Sequence, residues 1–363
     1  MASKTPGRTK FVGVATNDWS HTVTAHTGQP SLGGAGWVRF GQLVNRSRNR
    51  IIVGGLVAGP EGLGIAGWDG QFYFGCDVIF LQRLMDSWVT EAVTEAVALG
   101  QVVVNDVDDW FWGIHPSNAA AKAVDPGHSP DSNVDHYLAT LRASTAVTVS
   151  TPWLADRMRE WDVPAVVVQN RVATSDFTPR MHSDGPPTIG WTGSTAHRSD
   201  DLVVLAEFAN ELPPEWRWHH TGDLHPAHTL FADEVGLHRR RVTTMPLLPP
   251  WQYPSGLCFD IGVVPLSDHP FNRAKSFIKG LEYAAAGIPF VASCSPEYLR
   301  LRDEFGIGRV AVSKEQWLRH IHELADPDVR QEEAVRQWSL VRHHLDAARQ
   351  ARELDDLVDG LLG

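Results

Sequence analysis

Three residues near position 280 have the types and spacing of an anion site. Lys275, Lys279 and Glu282 stand at i, i+4 and i+7 within FNRAKSFIKGLEYAAAGIPFVAS, residues 271–293. The segment 274–286 has no proline and few β-branched residues, and Gly287 followed by Pro289 is a stop signal, so the pattern predicts a helix over 274–286. On such a helix the three side chains share a face near the N-terminus, where unpaired N–H groups and the helix dipole already favour an anion. Two lysines add mobile positive charge there, and Glu282 can accept hydrogen bonds from vicinal hydroxyls. A nucleoside diphosphate suits that combination, with its pyrophosphate at the helix tip and its ribose against the carboxylate. Spacing alone fits equally well a charge ladder on a solvated surface helix.

A second set lies in VVVNDVDDWFW, residues 102–112, where Asp106, Asp108 and Asp109 follow an apolar strand-like run. Open α/β sheets bind ligands at the carboxyl ends of their strands, which is where these aspartates fall. Three readings stay open. They can orient an acceptor hydroxyl or act as general base, the Asp-x-Asp pair can hold a divalent cation, or they can cap and turn the chain. Two glycine loops add candidates that let backbone approach a phosphate closely. Gly33, Gly34 and Gly36 open a helical pattern marked by Trp37, Phe40, Leu43 and Val44, while Gly193, Ser194, His197 and Arg198 lie in TGSTAHRSDD, residues 192–201. A plain strand-to-helix turn, capped by Ser194 in the second loop, explains the same letters.

These candidates need a scaffold with room for two sites. At 363 residues the chain exceeds one ordinary core, and two domains are expected. Hydrophobic residues at 43% and charged residues at 21% describe a globular chain, not a disordered one. The net charge of -11 argues against a surface that coats nucleic acid, although a local basic groove remains compatible with it. No apolar run approaches a membrane span, no signal peptide is evident, and three scattered cysteines suggest neither a disulfide framework nor a zinc site, so a cytoplasmic protein is expected. Fourteen tryptophans are many, but most tryptophans serve cores.

Apolar runs predict strands at 11–16, 50–57, 77–81, 146–150, 188–191, 216–221, 242–245, 258–265 and 310–312, with helices at 87–99, 137–144 and 299–306, a helix starting at Thr151-Pro152, and one long charged helix from Gln331 to the end. Residues 113–134 form a long Pro-, Ser- and Asp-rich loop of the kind that serves as a lid or binding loop; its His115, Lys122 and His128 read individually as solvated. The alternation of strands and helices gives an α/β fold with two Rossmann-like halves.

The stretch 271–293 resembles the donor-binding helix of the retaining, two-Rossmann (GT-B) nucleotide-sugar glycosyltransferases of the "group 1" type. The resemblance rests on Lys275, Lys279, Leu281, Glu282, Tyr283, Ala284, Gly287, Pro289, Val291, Ala292 and Ser293, and on a hinge-like segment at 166–177 with Asn170, Val172 and Phe177. It implies two Rossmann-like domains facing a cleft: an acceptor domain over 1–175, a donor domain over 186–335, and a C-terminal helix at 336–363 packing back on the first. It further implies a UDP-sugar as co-substrate, no tightly bound cofactor and no required metal. Lys275, Asn272, Ser276, Gly193, Ser194, His197, Arg198, Gly33 and Gly34 would then serve the donor, with Glu282 on the ribose; Asp106, Asp108 and Asp109 are the catalytic candidates by their place at the strand tip, not by the resemblance. The family's first glutamate falls on Ala274. NDVDDWFWG and FNRAKSFIKGLEYAA are similar to glycosyltransferases of actinobacterial bacteriophages, which implies a hexose transferred to a hydroxymethylated pyrimidine in DNA, to a virion protein or to a surface glycan. For DNA, Arg46, Arg48, Arg50 and the cluster 238–241 are the candidate phosphate contacts, and Trp110 or Trp112 the stacking partner of an extruded base. The alternative on the same fold is a nucleotide-sugar epimerase.

Overall fold

A computed structural model describes residues 9–19, 31–181, 184–197, 199–222 and 229–363, with the side chains of His197 and Ser199 left out. Two sheets organise it. The first contains β1 (Phe11–Thr16), β2 (Arg50–Gly59), β3 (Gly62–Gly67), β4 (Phe72–Tyr73), β5 (Val78–Gln82), β6 (Val102–Val107), β7 (Ala146–Val149) and β8 (Ala165–Val167). Their order is β4-β3-β2-β1-β5-β6-β7-β8, parallel from β2 through β8, with β3 and β4 antiparallel at one edge. The second contains β9 (Thr188–Thr192), β10 (Arg217–Gly222), β11 (Val242–Pro246), β12 (Ile261–Val264), β13 (Phe290–Ser293) and β14 (Arg309–Ala311), all parallel, in the order β11-β10-β9-β12-β13-β14.

The central strands are continuous apolar runs because helices cover both faces. All residues of β5 (VIFLQ) and β12 (IGVV) are buried, the pattern of a doubly covered parallel sheet. The edge pair β3 and β4 is not legible from the sequence, since GLGIAG is poor in strand formers. Its glycines are there for close approach: a Cβ on Gly64 of β3 would sit 2.7 Å from the Tyr73 carbonyl oxygen.

Two helices differ from expectation. The helix predicted over 274–286 runs Ile278–Ala285, after a separate turn at Pro270–Arg273. Tertiary contacts break it at Ala274, which is fully buried in an apolar cluster with Trp110, Phe111 and Leu154, and whose carbonyl accepts from Thr151 Oγ1 at 3.3 Å. The single tail helix is two, Pro327–His344 and Ala347–Leu362. At the break, Val172 N donates to Leu345 O (3.2 Å), Ala347 N donates to Val172 O (2.8 Å), and Asp346 caps the second helix at Ala348 N. That exchange turns the chain, and Ala347, Ala351, Leu354 and Val358 then pack into the core around Val12, Val14 and Phe80.

Candidate active site

A cleft of about 350 Å³ separates the two sheets. Its walls carry the loops that follow β1 and β6 on one side and β9 and β12 on the other. In the first sheet the strand order reverses between β1 and β5, and in the second between β9 and β12. Such reversal points leave a crevice beyond the strand ends because successive connections depart to opposite faces.

The second-sheet wall is built around the helix Ile278–Ala285. Glu282 projects from its middle into the cleft, and its carboxyl is pushed up to about 7, chiefly by burial, with Lys279 and the Tyr253 hydroxyl pulling the other way. The residue is only half-buried by surface because the cleft reaches it, so water in the open cleft moderates the effect without changing its direction. Lys279 Nζ is held one turn away by the Thr192 carbonyl and by Thr192 Oγ1 (3.1 Å), and it lies over the Trp191 ring. Thr192 Oγ1 also meets the hydroxyls of Tyr253 (2.7 Å) and Tyr283 (3.1 Å). Strand β9, the helix and the Tyr253 turn therefore converge on one polar knot. Next to it Gly193 adopts φ +147°, a conformation for which glycine is suited, and its carbonyl approaches Gly222 so closely that a Cβ there would stand 2.0 Å away.

The opposite wall is a carboxylate group organised by one arginine. Arg83, just past the end of β5, donates from Nε and Nη2 to both oxygens of Asp108 (2.9 and 2.5 Å), from Nη2 to Asp109 Oδ2 (3.2 Å), and from Nη1 to Asp18 Oδ1 (2.8 Å). Its backbone is left-handed, with φ +57°, uncommon for a residue with a side chain. Asp18 in turn accepts from Gly36 N through its carboxylate (2.5 Å) and from Gly33 N through its carbonyl (2.7 Å), which pins the glycine loop. A Cβ on Gly33 would come within 2.6 Å of that carboxylate. Burial raises the Asp108 carboxyl to about 6 against the pull of Arg83, with Asp109 adding to the rise. Asp109 Oδ1 spans the cleft to Lys275 Nζ at 2.8 Å.

The sequence candidates separate accordingly. Asp108, Asp109, Lys275, Ser276, Glu282, Gly193 and Gly34 line the cleft. Ser276 Oγ accepts from Asn170 Nδ2 at 2.9 Å, and Lys275 and Ser276 sit in the bend before the helix instead of on it. Gly33 braces the loop behind Gly34, and Ser194 Oγ is buried beside Gly193 with no hydrogen-bond partner among the described residues. Asp106 requires correction. It is 1% exposed, its two oxygens accept from Arg39 Nη2 (2.6 Å) and Nε (2.9 Å), and Thr148 Oγ1 adds a third bond (2.6 Å). With its oxygens so occupied, Asp106 is not among the residues that line the cleft. Asn272 requires correction too, because its buried amide donates to Asp201 (2.6 Å) and to Ser267 O (3.0 Å). Arg198 lies outside the described residues, and of His197 only the backbone is described.

The features proposed for DNA also lie elsewhere. Arg48 pairs with Asp356 and Asp359 on the last helix, Arg46 with Asp176, and Arg50 covers the Phe11 ring. Arg239 pairs with Asp233, and Arg241 donates to backbone carbonyls of Pro213 and Trp216. Trp110 and Trp112 belong to an aromatic cluster with Trp153, Trp161 and Tyr137, centroids 4.7–5.7 Å apart, where the rings are occupied by one another. The 113–134 loop does touch the side of the second sheet, through Ala119 N to Ala196 O (3.3 Å) and the edge-to-face pair of His115 and His269.

Sequence reasoning missed Arg83, Asp18, Thr192 and Tyr253. A charged residue at the carboxyl end of a buried strand was the available signal for Arg83; nothing near Tyr253 announces its role. Among the described residues no group of three or more His, Cys, Asp or Glu is arranged to hold a metal ion, and no helix is long and apolar enough to cross a membrane.

No protein-family model and no curated protein matches the chain. Solved structures do. HepE of Anabaena, in complex with UDP and glucose, matches with TM-score 0.61 and 12% identity over 96% of this chain and 100% of that one. Sucrose-phosphate synthase from Thermosynechococcus elongatus matches with TM-score 0.56 and 14% identity over 79% of this chain and 74% of that one. The lipopolysaccharide outer core galactosyltransferase WaaB, in its apo form, matches with TM-score 0.51 and 13% identity over 79% and 76%. The two-sheet architecture is thus the GT-B fold of those glycosyltransferases.

Proposed function

We propose that the protein is a glycosyltransferase of the retaining group 1 type that moves a hexose from a nucleoside-diphosphate sugar, with UDP-glucose the first donor to test, to an acceptor hydroxyl. Residues 186–335 form the donor domain, 1–175 the acceptor domain, and 336–363 the segment that ties them together. One observation carries this reading: Glu282, Lys279 and Lys275 converge from one short stretch on a cleft between two parallel sheets, facing Asp109.

Each residue has a task set by its chemistry. Glu282, charged and accepting, suits the two ribose hydroxyls. Lys275 and Lys279, with the backbone around Gly193, suit the diphosphate, whose charge grows as the sugar–phosphate bond breaks; cations already in place stabilise that charge without reorganising. Asp109, across from Lys275, faces the transferred sugar and the acceptor. The family's first glutamate has no equivalent because Ala274 is sealed into the interdomain core, so contacts to the sugar come from the Asp109 side. HepE has been seen in complex with UDP-glucose, which supports a UDP-sugar as the donor here.

The residues named above for DNA, Arg46, Arg48, Arg50, the cluster 238–241, Trp110 and Trp112, are not among those that line the cleft, and a neutral hydroxyl compound suits the aspartate wall better. The test is nucleotide release from a panel of nucleotide sugars with and without glycan, protein and hydroxymethylpyrimidine DNA acceptors, comparing the unaltered protein with Glu282→Ala and Lys275→Ala. Acceptor-dependent release that collapses in both variants supports transfer. Release or isomerisation that no acceptor stimulates points to an epimerase, and failure to bind any nucleotide sugar removes the proposal.

A further inference from the structure

We propose that Arg83 is a positioning residue that gives the two neighbouring aspartates different jobs, locking Asp108 inward and presenting Asp109 to the reacting sugar. The inference rests on the donor reading above. It begins with a geometric asymmetry. The guanidinium chelates Asp108 through two parallel bonds of 2.9 and 2.5 Å, the strongest arrangement available to a carboxylate, but touches Asp109 through one oxygen only, at 3.2 Å. The other oxygen of Asp109 lies at the cleft, 2.8 Å from Lys275 Nζ. Asp108 is 7% exposed, and the Asp109 side chain 13%.

Arg83 also fixes the third party. Its Nη1 holds Asp18, which anchors Gly33 and Gly36 by their N–H groups. One side chain therefore sets the glycine loop and the aspartate tip in register, and through Asp109 connects both to Lys275 on the other domain. The left-handed backbone at Arg83 is the local cost of aiming the side chain into that junction. Its guanidinium lies over the Phe111 ring, the central carbon 5.4 Å from the centroid, so the fork has an aromatic face on one side and carboxylates on the others.

Charge makes the arrangement functional as well as structural. Among the described residues, the charged groups around Asp109 include Arg83 from the end of β5, Asp108 beside it, Asp18 from the end of β1 and Lys275 from the opposite wall. Burial and the Asp109 charge both raise the Asp108 carboxyl, and the guanidinium is what lowers it. Removing the guanidinium raises Asp108 further and leaves nothing to hold the two carboxylates in different orientations. Lysine retains a charge but not the fork, so it can neutralise the group without dividing its carboxylates.

The experiment measures kcat, donor KM and the pH–rate profile for UDP-glucose turnover in Arg83→Lys and Arg83→Gln, with donor affinity read independently by calorimetry and folding by thermal melts. Arg83→Gln is expected to lower kcat about 100-fold, leave donor affinity within about threefold, and move the acidic limb of the profile to higher pH; Arg83→Lys is expected to lose about tenfold in kcat with the acidic limb close to its original position. Should Arg83→Gln fail to fold, Arg83→Lys still decides: full kcat with lysine overturns the need for a fork. Donor binding retained together with an unmoved acidic limb in Arg83→Gln overturns this inference alone. An unaltered protein that binds no nucleotide sugar overturns both this and the reading beneath it.

Discussion

The two walls of the cleft solve the same problem, placing charge at the end of a parallel strand, by different means. On the second-sheet wall the charged groups come from one helix and the bend before it, so their spacing in sequence is their spacing in space. On the first-sheet wall Asp18, Arg83, Asp108 and Asp109 arrive from three strand ends and meet only because β1, β5 and β6 are neighbours. A site built locally tolerates loss of one member as loss of that member's contact. A site built from afar loses its arrangement when its organiser is removed.

The largest effect that sharpens this contrast is expected at Glu282. Replacing it with alanine removes a charged acceptor for two hydroxyls, and donor affinity should fall about 100-fold or more in calorimetry while the melting temperature holds or rises, since a partly desolvated carboxyl is also removed. An unchanged affinity would break the assignment of this wall to the donor.

Next in size is Asp106, the control for the opposite wall. Asp106→Ala leaves Arg39 buried and unpaired, side chains 2% and 1% exposed, so a stability loss of about 3–5 kcal/mol is expected in denaturant unfolding. Asp109→Asn should instead leave stability within about 1 kcal/mol and lower kcat, since its side chain faces the cleft. If the two swapped behaviour, the division of the aspartates drawn here would be wrong.

A smaller, pH-dependent effect separates the walls again. With Glu282 raised to about 7, its charged form is gained as pH rises through that value, so donor affinity should increase between about pH 6 and 8, and Glu282→Gln should flatten the curve. The empty protein should show the opposite trend in stability. A carboxyl raised on folding binds its proton more tightly in the folded state, so its contribution is complete below the ordinary glutamate range, near 4.5, and is lost as pH rises to about 7. Thermal melts of the empty protein and of Glu282→Gln across that window test the sign.

Least of all is expected from Arg48→Ala. Its partners Asp356 and Asp359 are exposed, so stability should change by less than about 1 kcal/mol. Activity toward any DNA acceptor should be untouched; a large loss there would return the basic arginines to the site.

Much of this architecture is legible in residues with strong local preferences. Phe11–Thr16 is a strand in both readings, the helix Pro152–Glu160 starts where Thr151-Pro152 predicts, and Lys275, Lys279 and Glu282 meet at the cleft although the helix begins only at Ile278. What was misread shares a cause. Asp106 looks identical to Asp108 in a chain of letters, and strand alternation gives both the same face; they part because β6 ends at Val107, which leaves Asp106 within the sheet against Arg39 and Asp108 past the strand's end against Arg83. Trp110 and Trp112 looked available for stacking and are consumed by Trp153 and Trp161, more than forty residues away. The tail looked continuous until Val172 divided it.

Sequence by itself determined where strands and helices form and that a lysine pair and a glutamate would share one neighbourhood, because periodicity, glycine stops and i, i+4 spacing act over a single turn or strand. Only the tertiary structure decided which carboxylates line the cleft, that Arg83 binds three of them, and that Ala274 is sealed against Trp110, Phe111 and Leu154. Those outcomes depend on strand order and on burial against distant residues, and desolvation and ion pairing are settled by whatever the fold brings alongside.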